Sequence, residues 1–257
     1  MPSQPYLSVI VPAYNEKNNL KRPILKEVVN YLKQQNYLWE LILSDDGSTD
    51  GTLTEFEKFA QQHQQVKVIA NPHRGKGPTV SQGVLAATGQ WRLFTDFDQS
   101  TPLKEVEKLL AYNKNYDVII GSREISGAIR DKEPFHRHLM GRVFNLIVQL
   151  LAVPGIKDTQ CGFKLFSQHA TEILFPMLHV YSGDQVQKDA FTGAFDVELL
   201  FLANKYGFKT KEVPILWKHY HTDRVNPIKD SWRMFKDIIK IRIAEIQQRY
   251  SLTKNQD

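Results

Sequence analysis

The sequence predicts an α/β fold: a mostly parallel sheet with helices on both faces. Strand and helix signals alternate between residues 6 and 123, the pattern of a sheet built by crossover connections. Polar, acid-rich turns follow the strand runs, so they gather on one sheet edge. The chain has 257 residues, of which 42% are hydrophobic and 24% charged with both signs mixed. That suffices for one large domain with a C-terminal elaboration and argues against disorder.

"YLSVIVPAY" is a β-rich run ended by Pro12, and "NLKRPILKEVVNYLKQQ" carries Leu20, Ile24, Val28 and Leu32 at helical spacing. "LWELILSDDGS" is a second strand running into a turn, and "GTLTEFEKFAQQH" a second helix capped by Ser48 or Asp50. "VKVIAN" is a third strand, followed by the helix "GPTVSQGVLAATG" ending at Gly89. "QWRLFTDFD" is a fourth strand; "TPLKEVEKLLAYN" is a helix with Thr101 as cap and Pro102 at its first position. "YDVIIGSR" is a fifth strand. Later, "HLMGRVFNLIVQLLAV" reads as an amphipathic helix, "DTQCGFKLFS" as turn and strand, "GAFDVELLFLANKYG" as helix, and "FKTKEVPILWKH" as strand. "IKDSWRMFKDIIKIRIAEIQQRY" is a long basic amphipathic helix. The expected organisation is 1–225 as one domain, with 226–257 as helix and tail.

A net charge of +5 fits nucleic acid, nucleotide phosphates or an anionic membrane without choosing among them. The lone Cys161 excludes an intrachain disulfide and a cysteine-type zinc site, and suits a reducing compartment. The eight histidines show no HExxH spacing; "HRH" (136–138) reads as basic surface. "MPSQPYLSVIVPAYNE" does not read as a signal peptide. "VFNLIVQLLAVPGI" (143–156) falls short of the ~20 residues of a spanning helix. The expectation is a cytoplasmic protein, with residues 139–153 and 228–250 able to lie on a bilayer or pack on the protein.

In "FTDFDQSTP" (94–102), Asp96 and Asp98 follow an apolar strand. Residues i and i+2 of an extended chain share a side, roughly 6.5–7 Å apart. Two such charges repel by about 2–3 kcal/mol at an effective dielectric near 20, so a positive partner is expected. A hard dication, Mg²⁺ or Mn²⁺, takes carboxylate and phosphate oxygens together; a solvated acidic loop is the plainer reading. In "SDDGSTDGT" (44–52), two adjacent aspartates exceed what a turn needs, and a strand-end carboxylate can accept from a ribose or base. In "PAYNE" (12–16), Tyr14 can flank a base. "NPHRGKGPT" (71–79) fails the Walker pattern because Gly77 follows Lys76, and no GxGxxG follows the first strand. Arg74 and Lys76 still offer positive charge to phosphates at a helix start.

"SVIVPAYNE", "LSDDGSTDGT", "RGKGPTVSQGVLAATG", "LFTDFD", "GSRE" and "DTQCGFKLF", in that order, resemble inverting family-two glycosyltransferases of the GT-A fold. Within that family they resemble the dolichyl-phosphate β-glucosyltransferase subgroup. The resemblance covers roughly 6–240 and implies a nucleotide-binding half over about 1–125 and an acceptor half over about 126–225. It implies nucleotide-sugar binding by Pro12, Tyr14, Glu16, Asp45, Asp46, Lys76 and Asp96, and a metal held by Asp96 and Asp98 with Gln99 assisting. It implies acceptor-phosphate binding by Arg123 with Arg137 and Arg142, and a catalytic set of Asp98, Asp158 and Arg123. Asp196 and Glu198 match positions below the sugar. The plainer readings are a surface cation for Arg123, helix-end charges for Arg137 and Arg142, a turn cap for Asp158 and solvated helix charges for Asp196 and Glu198. Cys161 reads as a packed apolar residue.

The implied reaction moves a hexose, glucose by the subgroup, from a UDP-sugar to a polyprenyl phosphate at a membrane surface, using Mg²⁺ or Mn²⁺. GDP-mannose as donor, or a hydroxyl acceptor with Asp158 as base, stand as alternatives. A non-enzymatic nucleic-acid binder is the alternative of another class; the acidic strand ends argue against it.

Overall fold

The computed structural model describes residues 4–131, 135–182, 193–220 and 227–251. Seven strands form the main sheet: β1 (Leu7–Ala13), β2 (Trp39–Asp45), β3 (Val66–Ala70), β4 (Trp91–Thr95), β5 (Val118–Ser122), β7 (Phe163–Ser167) and β8 (Thr210–Pro214). Their order is β3-β2-β1-β4-β7-β5-β8. The pairs β3–β2, β2–β1, β1–β4 and β5–β8 are parallel, whereas β7 runs antiparallel to both β4 and β5. A small parallel pair, β6 (Ile129–Arg130) and β9 (Leu216–Trp217), lies beside it.

The period-2 pattern sorts each strand's side chains onto two cores. Ile10, Ile42, Phe94, Ile120 and Phe166 face one side. There they meet α3 (Lys76–Ala86), α5 (Phe135–Leu151), α6 (Gln168–Leu174), α7 (Phe195–Lys205) and α8 (Pro227–Ile246). Val9, Val11, Leu41, Leu43, Leu93 and Leu165 face the other side. That core is closed by α1 (Ile24–Lys33), Phe56 of α2 (Thr52–Gln61) and α4 (Val106–Leu110). Helix α3 crosses β1 so closely that a Cβ on Gly83 would fall 2.5 Å from Ile10 Cγ2. Met234, Ile238, Ile241 and Ala244 of α8, spaced as one helix face, are buried in the first core.

Several element boundaries differ from the expectation. Pro12 does not end the first strand: β1 runs through it to Ala13, which still pairs with Asp45. The first helical run is split: a 3-10 turn covers Asn19–Lys21 and α1 starts after Pro23. Helix α3 ends at Ala86, because Ala87 is extended. Thr101 caps nothing in the run after β4. Pro102 is extended, a 3-10 turn takes Leu103–Glu105, and only five residues become α4. Glu105 accepts from the Leu216 N–H (2.9 Å), which ties this segment to β9. Asp50 serves the start of α2 from before its cap, accepting from the Thr52 N–H (2.9 Å).

Glu198 of α7 is fully buried. Its carboxylate accepts from the N–H groups of His179 and Val180 (2.8 Å each) and Tyr181 (3.2 Å), and from Tyr250 Oη (2.6 Å). One side chain thus joins the turn after α6, α7 and the segment after α8. Glu198→Ala would leave these donors without their acceptor in the core, each costing about 1–3 kcal/mol. Urea unfolding is expected to show a loss of about 3 kcal/mol or more, with Glu198→Gln intermediate; a change under about 0.5 kcal/mol contradicts this role.

Candidate functional site

The strand order reverses direction between β1 and β4, so a crevice opens outside their C-terminal ends. The turns after β1, β2 and β4 meet there. At β2, Asp45 and Asp46 are both buried. Asp46 accepts from the N–H groups of Arg74 (2.8 Å) and Gly75 (3.0 Å) and bonds His73 Nδ1 (2.9 Å). This second aspartate therefore fixes the loop that opens α3 and sets Lys76 as its first residue. Asp45 Oδ2 accepts from the Ser48 N–H (2.8 Å). Asp45 Oδ1 and His73 Nε2 are buried with no hydrogen-bond partner among the described residues. The Tyr14 ring lies flat on His73, centroids 4.0 Å apart and planes 4° apart. Pro12 is inside β1 opposite Ser44. Glu16 is buried, its N–H donating to Thr52 Oγ1 (2.8 Å) and its Oε2 accepting from Asn19 Nδ2 (2.5 Å).

Beyond β4, Phe97 is buried and anchors the turn between Asp96 and Asp98. Asp96 Oδ1 meets Lys76 Nζ at 2.5 Å. On its other side the carboxylate rests on Gly162, where a Cβ would fall 2.2 Å from Oδ2. Asp98 Oδ1 accepts from the Ser100 N–H (2.8 Å), and burial together with the Asp96 charge pushes the Asp98 carboxyl up. Gln99 adopts φ +53°, and its Nε2 donates to the Asp96 carbonyl (3.0 Å), so that amide braces the loop. Arg22 Nη2 donates to the Asp98 carbonyl (3.2 Å), with its guanidinium over the Tyr220 ring at 4.0 Å.

Beneath this group is a buried ion pair. Lys164 Nζ, fully buried on β7, bonds Asp196 Oδ1 at 2.6 Å and also the Cys161 carbonyl. Burial works against the charge on Lys76, but Asp96, Asp196 and Asp98 prevail and hold its ammonium above the ordinary lysine range. Asp196 thus belongs to the cluster, whereas Glu198 is spent in the core. Burial, then Asp158, pushes the Cys161 thiol up to about 12, which makes it a packing residue.

At the end of β5, Arg123 grips Asp158 through Nε–Oδ2 (2.7 Å), Nη2–Oδ1 (2.8 Å) and its backbone N–H (2.8 Å). Burial opposes ionisation of Asp158, yet Arg123 holds its carboxyl below the ordinary range. Glu212 accepts from the N–H groups of Lys157 and Asp158 (2.9 Å each). Arg123 and Arg130 both lie over the Trp217 ring, at 5.5 and 5.4 Å. Arg142, exposed, reaches Glu124 at 3.4 Å. The Arg137 side chain and its neighbours in "HRH" lie outside the described residues.

Sequence reasoning missed Arg22, His73, Gly162, Lys164 and Trp217. Lys164 alone carried a signal, a lysine inside the apolar strand "GFKLF".

Asp96 and Asp98 fit a divalent cation: two hard oxygen donors at a strand end, one of them an ill-compensated carboxylate. No group of three or more His, Cys, Asp or Glu able to hold a metal occurs among the described residues. Remaining positions would fall to ligand oxygens and water, as is usual for Mg²⁺.

Residues 8–175 match the model of "Glycosyl transferase family 2". The chain is 34% identical over 252 residues to a dolichyl-phosphate beta-glucosyltransferase of Dictyostelium discoideum, covering 92% of this chain and 74% of the relative. It is 33% identical over 261 residues to the Saccharomyces cerevisiae enzyme of that name, covering 93% and 75%. The human one is 32% identical over 253 residues, covering 92% and 75%. Among solved structures, glucosyl-3-phosphoglycerate synthase from Mycobacterium tuberculosis with Mn²⁺, UDP and glucosyl-3-phosphoglycerate superposes with a TM-score of 0.57 at 17% identity, over 98% of this chain and 82% of that one. A Pyrobaculum calidifontis mannosyltransferase with GDP-Man and Mn²⁺ gives 0.57 at 17% identity, over 96% and 65%. These likenesses carry the GT-A fold. On the family model and its relatives, the chain belongs to glycosyltransferase family 2.

Proposed function

We propose that the chain transfers glucose from UDP-glucose to a dolichyl-type polyprenyl phosphate with inversion at the anomeric carbon, in the presence of Mg²⁺ or Mn²⁺. The observation that carries the site is the Asp96–Asp98 pair beside Lys76 at the β1/β4 crevice; the relatives' shared name supports the substrates. Asp45 Oδ1 and His73 Nε2, buried and unpartnered, offer hydrogen-bonding positions to the nucleoside, and Tyr14 supplies an aromatic face. A dication on Asp96 and Asp98 would neutralise negative charge on the leaving UDP. Lys76 adds a second positive charge there. The acceptor phosphate, with a second pKa near 6, is largely ionised at neutral pH. One of its oxygens attacks the anomeric carbon from the face opposite UDP, so the α-linked donor yields a β-linked product. No strong base is required. In this reading Arg123 draws that phosphate in and Asp158 positions Arg123. Asp98→Ala is expected to lower glucosyl transfer from UDP-glucose to dolichyl phosphate by at least about 10²-fold while leaving the thermal midpoint nearly unchanged. Near-normal turnover, or a preference for GDP-mannose, overturns this assignment.

Asp158 acts as a clamp in this scheme rather than as a proton acceptor. Asp158→Asn leaves Arg123 uncompensated and is expected to cost about 3 kcal/mol of stability. Because the folded carboxyl is depressed, the unfolded state takes up its proton first. This contribution is therefore intact above about pH 4 and is lost as pH falls through the folded value. Acid-unfolding curves of the wild type should show that slope, and those of the asparagine variant should lack it.

A lipid acceptor implies a membrane surface. Among the described residues no helix is long and apolar enough to cross one. Helix α8 nevertheless carries a second apolar stripe opposite its buried face: Trp232, Ile239, Ile243 and Ile246 are exposed, the last at 77%. Lys236 and Lys240 are interleaved with them, and Lys236 Nζ lies 5.5 Å from the Trp232 ring centre. On α5, Leu146 and Leu150 are exposed as well. This pattern suits an anionic bilayer surface. Replacing Ile243 and Ile246 by Glu is expected to reduce co-sedimentation with phosphatidylserine vesicles by about tenfold or more. Equal sedimentation of both forms removes α8 from the membrane contact.

A further inference from the structure

Lys76 is anchored as firmly as the carboxylate it meets. It is the first residue of α3, and Asp46 pins the backbone just before it. Gly77 follows, packed so closely that a Cβ would fall 2.9 Å from Phe195 Cβ. The Lys76 side chain is 19% exposed and its Nζ lies 2.5 Å from Asp96 Oδ1. On the protein side Asp96 is backed by Gly162, where a Cβ would fall 2.2 Å from Oδ2. The ammonium thus neutralises one of the two carboxylates that would hold a dication.

A dication arriving by itself meets an ammonium already bonded to one of its ligands, and the two cations repel at close range. Moving Lys76 aside does not remove the difficulty. Asp196, which also attracts the ammonium, is already bonded to the fully buried Lys164. A donor diphosphate changes the balance, since its negative oxygens can receive the lysine and complete the metal's shell. Each ligand then raises the affinity of the other, and linkage makes the effect reciprocal.

We propose that Lys76 is a resident counter-cation on Asp96, a positioning residue that keeps the carboxylate pair from loading metal alone and couples metal uptake to arrival of the donor diphosphate. This rests on the reading that Asp96 and Asp98 hold the metal.

The test is direct Mn²⁺ binding to the full chain, followed by the electron paramagnetic resonance signal of free Mn²⁺, with and without saturating UDP. Wild type should bind Mn²⁺ weakly alone and at least about tenfold more tightly with UDP. Lys76→Met keeps the length and apolar stem without the charge. It should bind Mn²⁺ alone at least about fivefold more tightly than wild type and gain less from UDP. Lys76→Arg, which keeps the charge, should retain the wild-type pattern. Unchanged or weaker Mn²⁺ binding by Lys76→Met without UDP overturns the counter-cation role, as does an arginine variant that behaves like the methionine one. A wild type that takes up no Mn²⁺ even with UDP, or an Asp98→Asn variant that binds it equally well, fails the underlying metal reading instead.

Discussion

Two carboxylates fixed within one turn at the end of a buried strand cannot be left uncompensated, and much of the site is arranged around that electrostatic requirement. Asp96 and Asp98 are held by β4, by Phe97 between them and by loop bonds from Ser100, Gln99 and Arg22. The charges then alternate inward. Lys76 answers Asp96, Asp196 helps hold Lys76, and Lys164 answers Asp196. A buried pair such as Lys164–Asp196 gains little net stability, because desolvation offsets its attraction. Its more useful property is position: it sets a fixed field beneath the proposed donor site.

The sheet's unusual strand serves the same requirement. β7 enters between β4 and β5 against their direction, so its start lies at the same edge as their ends. That edge delivers Gly162 beneath Asp96 and Cys161 and Asp158 beside it. A parallel strand in this place would have brought its C-terminal end to that edge instead. The absence of a side chain at Gly162 is then a steric necessity.

Much of the fold was legible because it is local. Period-2 apolar runs and helical repeats fixed the alternation, and strand-end turns located Asp45, Asp46, Asp96 and Asp98. What sequence reasoning lost is non-local. Nothing in "GFKLF" says that its strand pairs antiparallel between two distant ones, and the Arg123–Asp158 clamp joins residues 35 positions apart. The break near Thr101 was missed for a different reason. The apolar spacing there is helical, but Pro102 is extended and Glu105 is recruited by β9. His73 carried no pattern at all; its place follows from Asp46 and Tyr14.

Strand order also bears on how donor and acceptor can share one edge without their charges colliding. Asp96 follows β4 and Arg123 follows β5, and β7 separates them. Two strand spacings are about 10 Å; with the proposed roles of Asp96 and Arg123, that leaves room for one hexose between a leaving diphosphate and an incoming phosphate. A direct β4–β5 pair would halve that gap and press two anions together at about 5 Å. Arg123 is not a loose cation, since two of its side-chain nitrogens already hold Asp158; in the proposed role it would offer an acceptor only its remaining N–H groups. Fixing the fork costs flexibility but sets the direction of approach, and an in-line attack depends on direction as much as on charge.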